Sequence, residues 1–328
     1  MRSAPERERG AALLTVLLLV AVIAVLAATT LERLRLSTRL AGNAAALEQA
    51  RAYAYAAETL ALTRIDSILG QSPDRITLAG GWQGRPFGLP LPGGGVATAR
   101  VSDGGNCFNL NGLVIEGEPS IYAADAAQRA IFARLLRLVQ VPAQVAEQVA
   151  AGAADWIDTD DVVTPQGAED AAYLRQATPY RTAGSLMADP SELRAVAGVT
   201  PELYERVRPW ICTLPQARPA IINVNTVLPE QAVLVSMLFP DGRLPPDAAQ
   251  GYLSRRPPQG YGDVSGFLSG PASASITPDR QDMLGVKTRW FGLRVNVSLG
   301  GTTLEERALI DASRLPARLV SRQWGEAS

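Results

Sequence analysis

From Ala11 to Leu31 the chain reads AALLTVLLLVAVIAVLAATTL, without a charged residue. A run of roughly twenty apolar residues is the length that crosses the hydrocarbon core of a bilayer as a helix. It does not end at a turn. From Glu32 to Leu69 there is no proline, and Gly42 is the only glycine. Leu36, Leu40, Leu47, Ala50, Ala54, Ala57 and Leu60 or Leu62 recur close to the helical period, with Arg33, Arg39, Glu48, Arg51 and Glu58 between them. The apolar span, 11–31, therefore continues as an amphipathic helix over 32–70, which Gly70 and Pro73 stop. Sixty residues of helix make a rod of roughly 90 Å.

The residues before the span, MRSAPERERG, are hydrophilic and end in Arg9-Gly10. Three readings fit. A secretory signal cut after Val25-Leu26-Ala27, before Ala28, discards the span. A plain membrane anchor keeps everything. A prepilin-type leader, 1–10, cut between Gly10 and Ala11, leaves the span on the mature chain. The unbroken continuation favours the third reading, because a segment made for removal has no reason to run on as a structured rod.

Composition narrows the chemistry. There is no histidine, which removes Ser-His-Asp and Cys-His nucleophile systems and every histidine-bearing zinc site. Charge is balanced, 31 basic against 32 acidic residues, so no long-range field draws in a nucleic acid and none is expected as a partner. At 328 residues and 47% apolar content, one large domain or two smaller ones can bury a sizeable core.

Residues 71–94 are rich in glycine and proline and read as a loop with one short strand. Val96–Val101 alternates weakly and Phe108–Asn111 clearly, with a turn signal at Asp103-Gly104-Gly105 between them. Helices then take over at 123–139, 142–157, 190–196 and 201–211. Alternation resumes at Ile221–Thr226, and helices follow at 230–238 and 247–255. Thr288–Leu299 is the best strand in the sequence, with 303–315 and 317–324 as antiparallel neighbours and Gly300-Gly301 as a hairpin turn. The pattern is α/β (α+β): a long N-terminal helix on an antiparallel sheet, parts 71–118 and 214–328, interrupted by a large, mainly helical insert over 119–213. Cys107 and Cys212 flank that insert. In an exported chain they can bridge its two ends; in a reducing compartment they are two buried thiols.

The densest set of oxygen ligands is Asp155, Asp158, Asp160, Asp161, Glu169 and Asp170. Asp158, Asp160 and Glu169 have relative positions one, three and twelve of a calcium loop, but Val162 and Val163 stand where an EF-hand needs a ligand and a glycine. The residues alone leave two readings level: a loop folded round a hard cation, or a solvated acidic loop with helix-capping duties.

Phe108–Asn111 (FNLN), Asp155–Asp160 (DWIDTD) with Gly167, Glu169, Asp170 and Tyr173, Ser191–Arg194 (SELR) and Asn223–Thr226 (NVNT) stand in order behind the leader. In these motifs the chain resembles the minor pseudopilin K family of type II secretion systems. The resemblance implies a pilin-like fold and a non-enzymatic filament subunit. It also implies an inner-membrane anchor with the C-terminal part in the periplasm, processing by prepilin peptidase, and N-methylation of Ala11. Implied partners are the minor pseudopilins I and J, other pseudopilins and inner-membrane secretion components. One or two calcium ions are implied at the acidic loop. Most pilin-like proteins carry glutamate five residues past the cut; here that residue is Thr15, which implies a place at the filament tip. Gly184 stands where the family has an asparagine.

Three rival readings remain. Glu192–Pro201 resembles half of a helix-hairpin-helix but lacks its second glycine and a basic surround. A hydrolase built on two carboxylates of the acidic loop needs them on both sides of a substrate. A minor pilin or tip adhesin of a type IV pilus-like system shares the leader and rod.

Overall fold

A computed structural model describes residues 6–92, 94–240, 242–269 and 276–325. The first five residues of the expected leader lie outside these. The rod is a single helix, α1 (Glu6–Gln71), 66 residues and roughly 100 Å long. Its two halves keep different company. Gly10 to Ala45 are exposed throughout. Further on, Ala50, Ala54, Ala57, Ala61 and Ile65 are fully buried. Steps of three and four residues place these five on one stripe, and their small side chains let the helix lie close to a sheet.

That sheet has five antiparallel strands in spatial order β1 (Phe87–Leu91), β2 (Gly95–Asp103), β3 (Trp290–Leu299), β4 (Thr302–Asp311) and β5 (Arg318–Trp324). Ala97, Ala99 and Val101 of β2, with Phe291, Leu293, Val295 and Val297 of β3, alternate inward and meet the α1 stripe. Gly300 and Gly301 join β3 to β4, both at positive φ, as a tight hairpin demands. One cation ties helix to sheet: Arg322 on β5 donates to Glu58 on α1 at 2.6 Å and reaches Glu306 on β4 at 3.3 Å.

Everything between Asp103 and Trp290 is inserted between two neighbouring strands. It forms a second core. Phe132 stacks on Phe108 at 4.8 Å, and Ile131, Leu135 and Leu136 of α2 (Ala126–Leu138) face α3 (Ala143–Asp155). Asp125 caps α2, accepting from the N–H groups of Ala127 and Gln128, so this helix starts three residues later than expected. Met237, Phe239, Leu253, Phe267 and Leu284 pack into the same core. The expected end of the insert at 213 therefore falls inside one packed body, because the later helices bury their apolar faces beside α2 and away from the sheet. Residues 190–195 form a 3₁₀ turn, with the α-helix beginning only at Pro201.

Two expected strands shrink to two residues each. Phe108–Asn109 pairs in parallel with Ile211–Cys212, and Leu110–Leu113 turns as a 3₁₀ helix. Ile222–Asn223 pairs in parallel with Leu284–Gly285. The turn signal at Asp103-Gly104-Gly105 accordingly opens the insert and closes no hairpin. The cause is asparagine. Asn109 accepts from the Leu214 N–H at 2.8 Å and donates to the carbonyls of Gln216 and Arg218. Asn223 donates to the Ile76 carbonyl and the Thr288 hydroxyl and accepts from the Asn225 N–H. These buried amides satisfy loop backbone that would otherwise need a ladder partner.

A disulfide joins Cys107 to Cys212, with Cα atoms 5.8 Å apart, at the parallel pair that fastens the insert's first half. At the junction of the two bodies lies the buried Asp103. It accepts from the Thr226 and Thr288 hydroxyls and from the Gly105 N–H, and burial pushes its carboxyl up to about 6.

Candidate metal centre

Asp155 is the last residue of α3, and Asp158 follows one turn later, with its N–H bonded to the Ala154 carbonyl. That spacing turns both carboxylates to one side. The chain then loops out through Asp160 and Asp161 and returns at Glu169, which begins the short helix Asp170–Tyr173. Asp155, Asp158 and Glu169 are all buried and bring one carboxylate oxygen each within 4.8 Å of one another. Two oxygens on opposite sides of a calcium ion stand about 4.6–5.2 Å apart, so this spread is the span of a single coordination sphere.

The electrostatics point the same way. Asp155 Oδ1, Asp158 Oδ1 and both oxygens of Glu169 are buried with no hydrogen-bond partner. Burial pushes Asp155 upward. Burial, then Asp155 and Asp160, raise Asp158 to about 7. Burial, then Asp155 and Asp158, raise Glu169 to about 8. The carboxylates also gather at the negative end of the α3 dipole, where anions are disfavoured. The half-buried Arg129 of α2 offsets Asp155 and Asp158 only in part. A hard cation with an all-oxygen donor set fits these orphaned atoms; a metal that prefers nitrogen or sulfur has nothing to hold it.

The six acidic residues singled out in the sequence thus divide. Three converge. Asp160 and Asp161 are exposed in the same loop, and Asp160 accepts from the Val162 N–H. Asp170 turns elsewhere. It accepts from the Thr182 N–H and hydroxyl and pairs with Arg181; these contacts, the Thr182 N–H foremost, hold its carboxyl below the usual range. One contributor carried no sequence signal: Arg129 lies in a helix ordinary for its composition. Gly167, already part of the acidic-loop motif, packs so tightly on the carboxylate of Asp155 that a Cβ there would sit 2.0 Å from Oδ2. Beside the cluster, Trp156, Tyr173 and Tyr180 pack edge to face or tilted at 5.2–6.1 Å. The two tyrosine hydroxyls tie the loop down: Tyr173 accepts from the Ala197 N–H and Tyr180 donates to the Ala195 carbonyl.

Family models described as type II secretion system protein K match residues 106–216 and 222–287. The chain is 32% identical to the type II secretion system protein K of Pectobacterium carotovorum subsp. carotovorum, covering 98% of this chain and 97% of that one. The chain belongs to the type II secretion system protein K family. The protein K of Klebsiella pneumoniae is 34% identical, with the same coverage of both chains. In three dimensions the chain resembles a crystal structure of the GspK-GspI-GspJ complex from enterotoxigenic Escherichia coli. The TM-score is 0.74 at 31% identity, over 85% of this chain and 97% of that one. Gly184, where the resemblance implies an asparagine, adopts φ 54°, a left-handed conformation that glycine and asparagine both reach.

Proposed function

We propose that this chain is a tip subunit of the periplasmic pseudopilus, which starts and caps the filament that drives folded proteins across the outer membrane. The observation that carries this reading is the division of α1. Its second half is buried on the subunit's own sheet, while Gly10 to Ala45 have no partner among the described residues. A rod exposed in this way is built to lie in a membrane and then against sister rods. In this reading the leader is cut between Gly10 and Ala11 by prepilin peptidase, Ala11 is N-methylated, and the span anchors the chain in the inner membrane with the globular part in the periplasm. Thr15 fits a subunit with no neighbour above it. Its hydroxyl donates to the Ala12 carbonyl at 2.9 Å, so it brings no unpaired polar group into an apolar layer. The insert, set between two neighbouring strands, obstructs addition of a further subunit.

Minor pseudopilins I and J are the expected partners, because a solved structure similar to this chain is a GspK-GspI-GspJ complex. Calcium is the expected ion, held by Asp155, Asp158 and Glu169, with Asp160 and Asp161 lending charge from solvent. The cation supplies positive charge that lets three buried carboxylates ionise together. The chain's own groups fix their spacing.

The test is co-expression of the full chain with candidate minor pseudopilins I and J. Recovery of a ternary complex, and loss of export of periplasmic enzymes when the gene is deleted, are the expected results. Intact export with lost surface attachment supports a type IV pilus-like tip adhesin instead.

A further inference from the structure

The first turns after the apolar span read Glu32-Arg33-Leu34-Arg35-Leu36-Ser37-Thr38-Arg39-Leu40. The helix continues through them without a break, and every one of these residues is exposed. Among the described residues Arg33, Arg35 and Arg39 make no ion pair. At 1.5 Å per residue, Arg33 and Arg35 stand about 3 and 6 Å beyond Leu31, and Arg39 about 12 Å. The polar layer outside the hydrocarbon core is about 5–8 Å deep on each side. Two of the arginines thus lie at headgroup depth, and the third can reach back into it along its own stem.

At about 100° per residue the three arginines point to roughly 0°, 200° and 240°, and Leu34, Leu36 and Leu40 to roughly 100°, 300° and 340°. The arginines thus share an arc of about 160°, with Leu36 and Leu40 between them and Leu34 on the opposite side.

Topology sharpens the point. Lysine and arginine beside a span normally mark its cytoplasmic side. Here Arg2, Arg7 and Arg9 precede the span and Arg33, Arg35 and Arg39 follow it, three against three. The second set gives no help to orientation and needs another use. We propose that Arg33, Arg35 and Arg39 form a belt that binds anionic phospholipid headgroups on the side of the membrane that carries the globular part. The belt fixes the depth of the rod and holds it in the bilayer until assembly. The proposal rests on the reading of Ala11–Leu31 as a membrane anchor.

The test uses the full chain in phosphatidylcholine vesicles doped with spin-labelled phosphatidylglycerol or spin-labelled phosphatidylcholine. Electron spin resonance reads the fraction of motionally restricted lipid. The expected result is a preference of about fivefold for phosphatidylglycerol at low salt, the effect of one well-placed cation at an anionic surface. The triple variant R33Q/R35Q/R39Q should lose most of it, and R2Q/R7Q/R9Q should keep it. Equal restriction of the two lipids, or a preference that survives the first triple substitution, overturns the belt alone. Restriction of neither lipid overturns the anchor as well. Circular dichroism of each variant confirms that the helix persists.

Discussion

The carboxylate of Asp155 occupies the space that any side chain at Gly167 would need. A Cβ at 167 would lie 2.0 Å from Asp155 Oδ2 and 3.0 Å from the Thr164 carbonyl. Neither can retreat freely, since Oδ2 also accepts from the Thr164 N–H. Gly167→Ala should therefore lower stability by about 1–3 kcal/mol, as overpacking does, and weaken calcium binding about tenfold or more by displacing a ligand. Thermal melts and titration calorimetry measure the two effects. Unchanged calcium affinity would place Asp155 outside the coordination sphere.

The cluster makes stability depend on pH in a direction that the proposed calcium should oppose. Asp158 and Glu169 titrate near 7 and 8 in the folded chain, against free carboxyl values of 3.8 and 4.5. Between about pH 4 and 8 the folded state therefore holds more protons than the unfolded one, and stability without metal falls as pH rises through that window. Asp103 and Glu306, raised to about 6 and about 7, add slope of the same sign. Calcium competes with the protons on Asp158 and Glu169, so its stabilisation should be small at pH 5 and large at pH 8. At a hundredfold excess over Kd it amounts to about 2.7 kcal/mol. Melting temperatures in chelator and in calcium at the two pH values measure this. A calcium increment equal at both values would sink the cluster as the binding site.

The rod, the hairpin at Gly300-Gly301 and the long strand over 290–299 were plain in the sequence because each has one dominant cause: apolar length, a turn residue, strict alternation. The segments FNLN and INVNT misled for a physical reason. Alternating apolar and polar residues describe a half-buried strand, and they describe equally a fully buried turn whose asparagines mimic backbone. Only the tertiary partners of Asn109 and Asn223 decide between the two. Helices on both sides of residue 213 share one core, since an amphipathic helix shows its apolar face in sequence but not which body covers it. At the candidate metal centre the acidic residues were visible, but Asp170 turns to Arg181 and Thr182, contacts that arise only once the loop folds back.

The disulfide spans 105 residues, so its loss should expand the unfolded chain more than it alters the folded one. The loop-entropy model gives about 4.7 kcal/mol for a loop near 100 residues, and natural bridges give about 2–5 kcal/mol in practice. C107S/C212S should lower the urea midpoint accordingly and steepen the transition, as a less compact unfolded state exposes more surface. Calcium affinity of the folded variant should stay the same, since neither cysteine belongs to the cluster. A midpoint matching the parent protein would show that the bridge carries no stability.

Arg322 is the cation between two carboxylates that cannot both do without it. Glu306 is fully buried and its Oε2 lacks a partner; burial, then Glu58, raise it to about 7. Arg322 lies over the Tyr55 ring at 4.6 Å, so its removal also uncovers an aromatic face of α1. Arg322→Ala leaves buried charge uncompensated, an effect of about 3–5 kcal/mol for buried pairs and less here because the guanidinium is partly exposed. It should also carry pH dependence of a definite sign. With no cation, the Glu306 carboxyl moves further up, so the variant should lose more stability at pH 8 than at pH 5. Adding Glu306→Gln removes one of the two charges and should recover part of the loss at pH 8. Urea melts of the single and double variants at both pH values separate charge from packing: a loss independent of pH and untouched by Glu306→Gln would assign Arg322 to packing on Tyr55 alone.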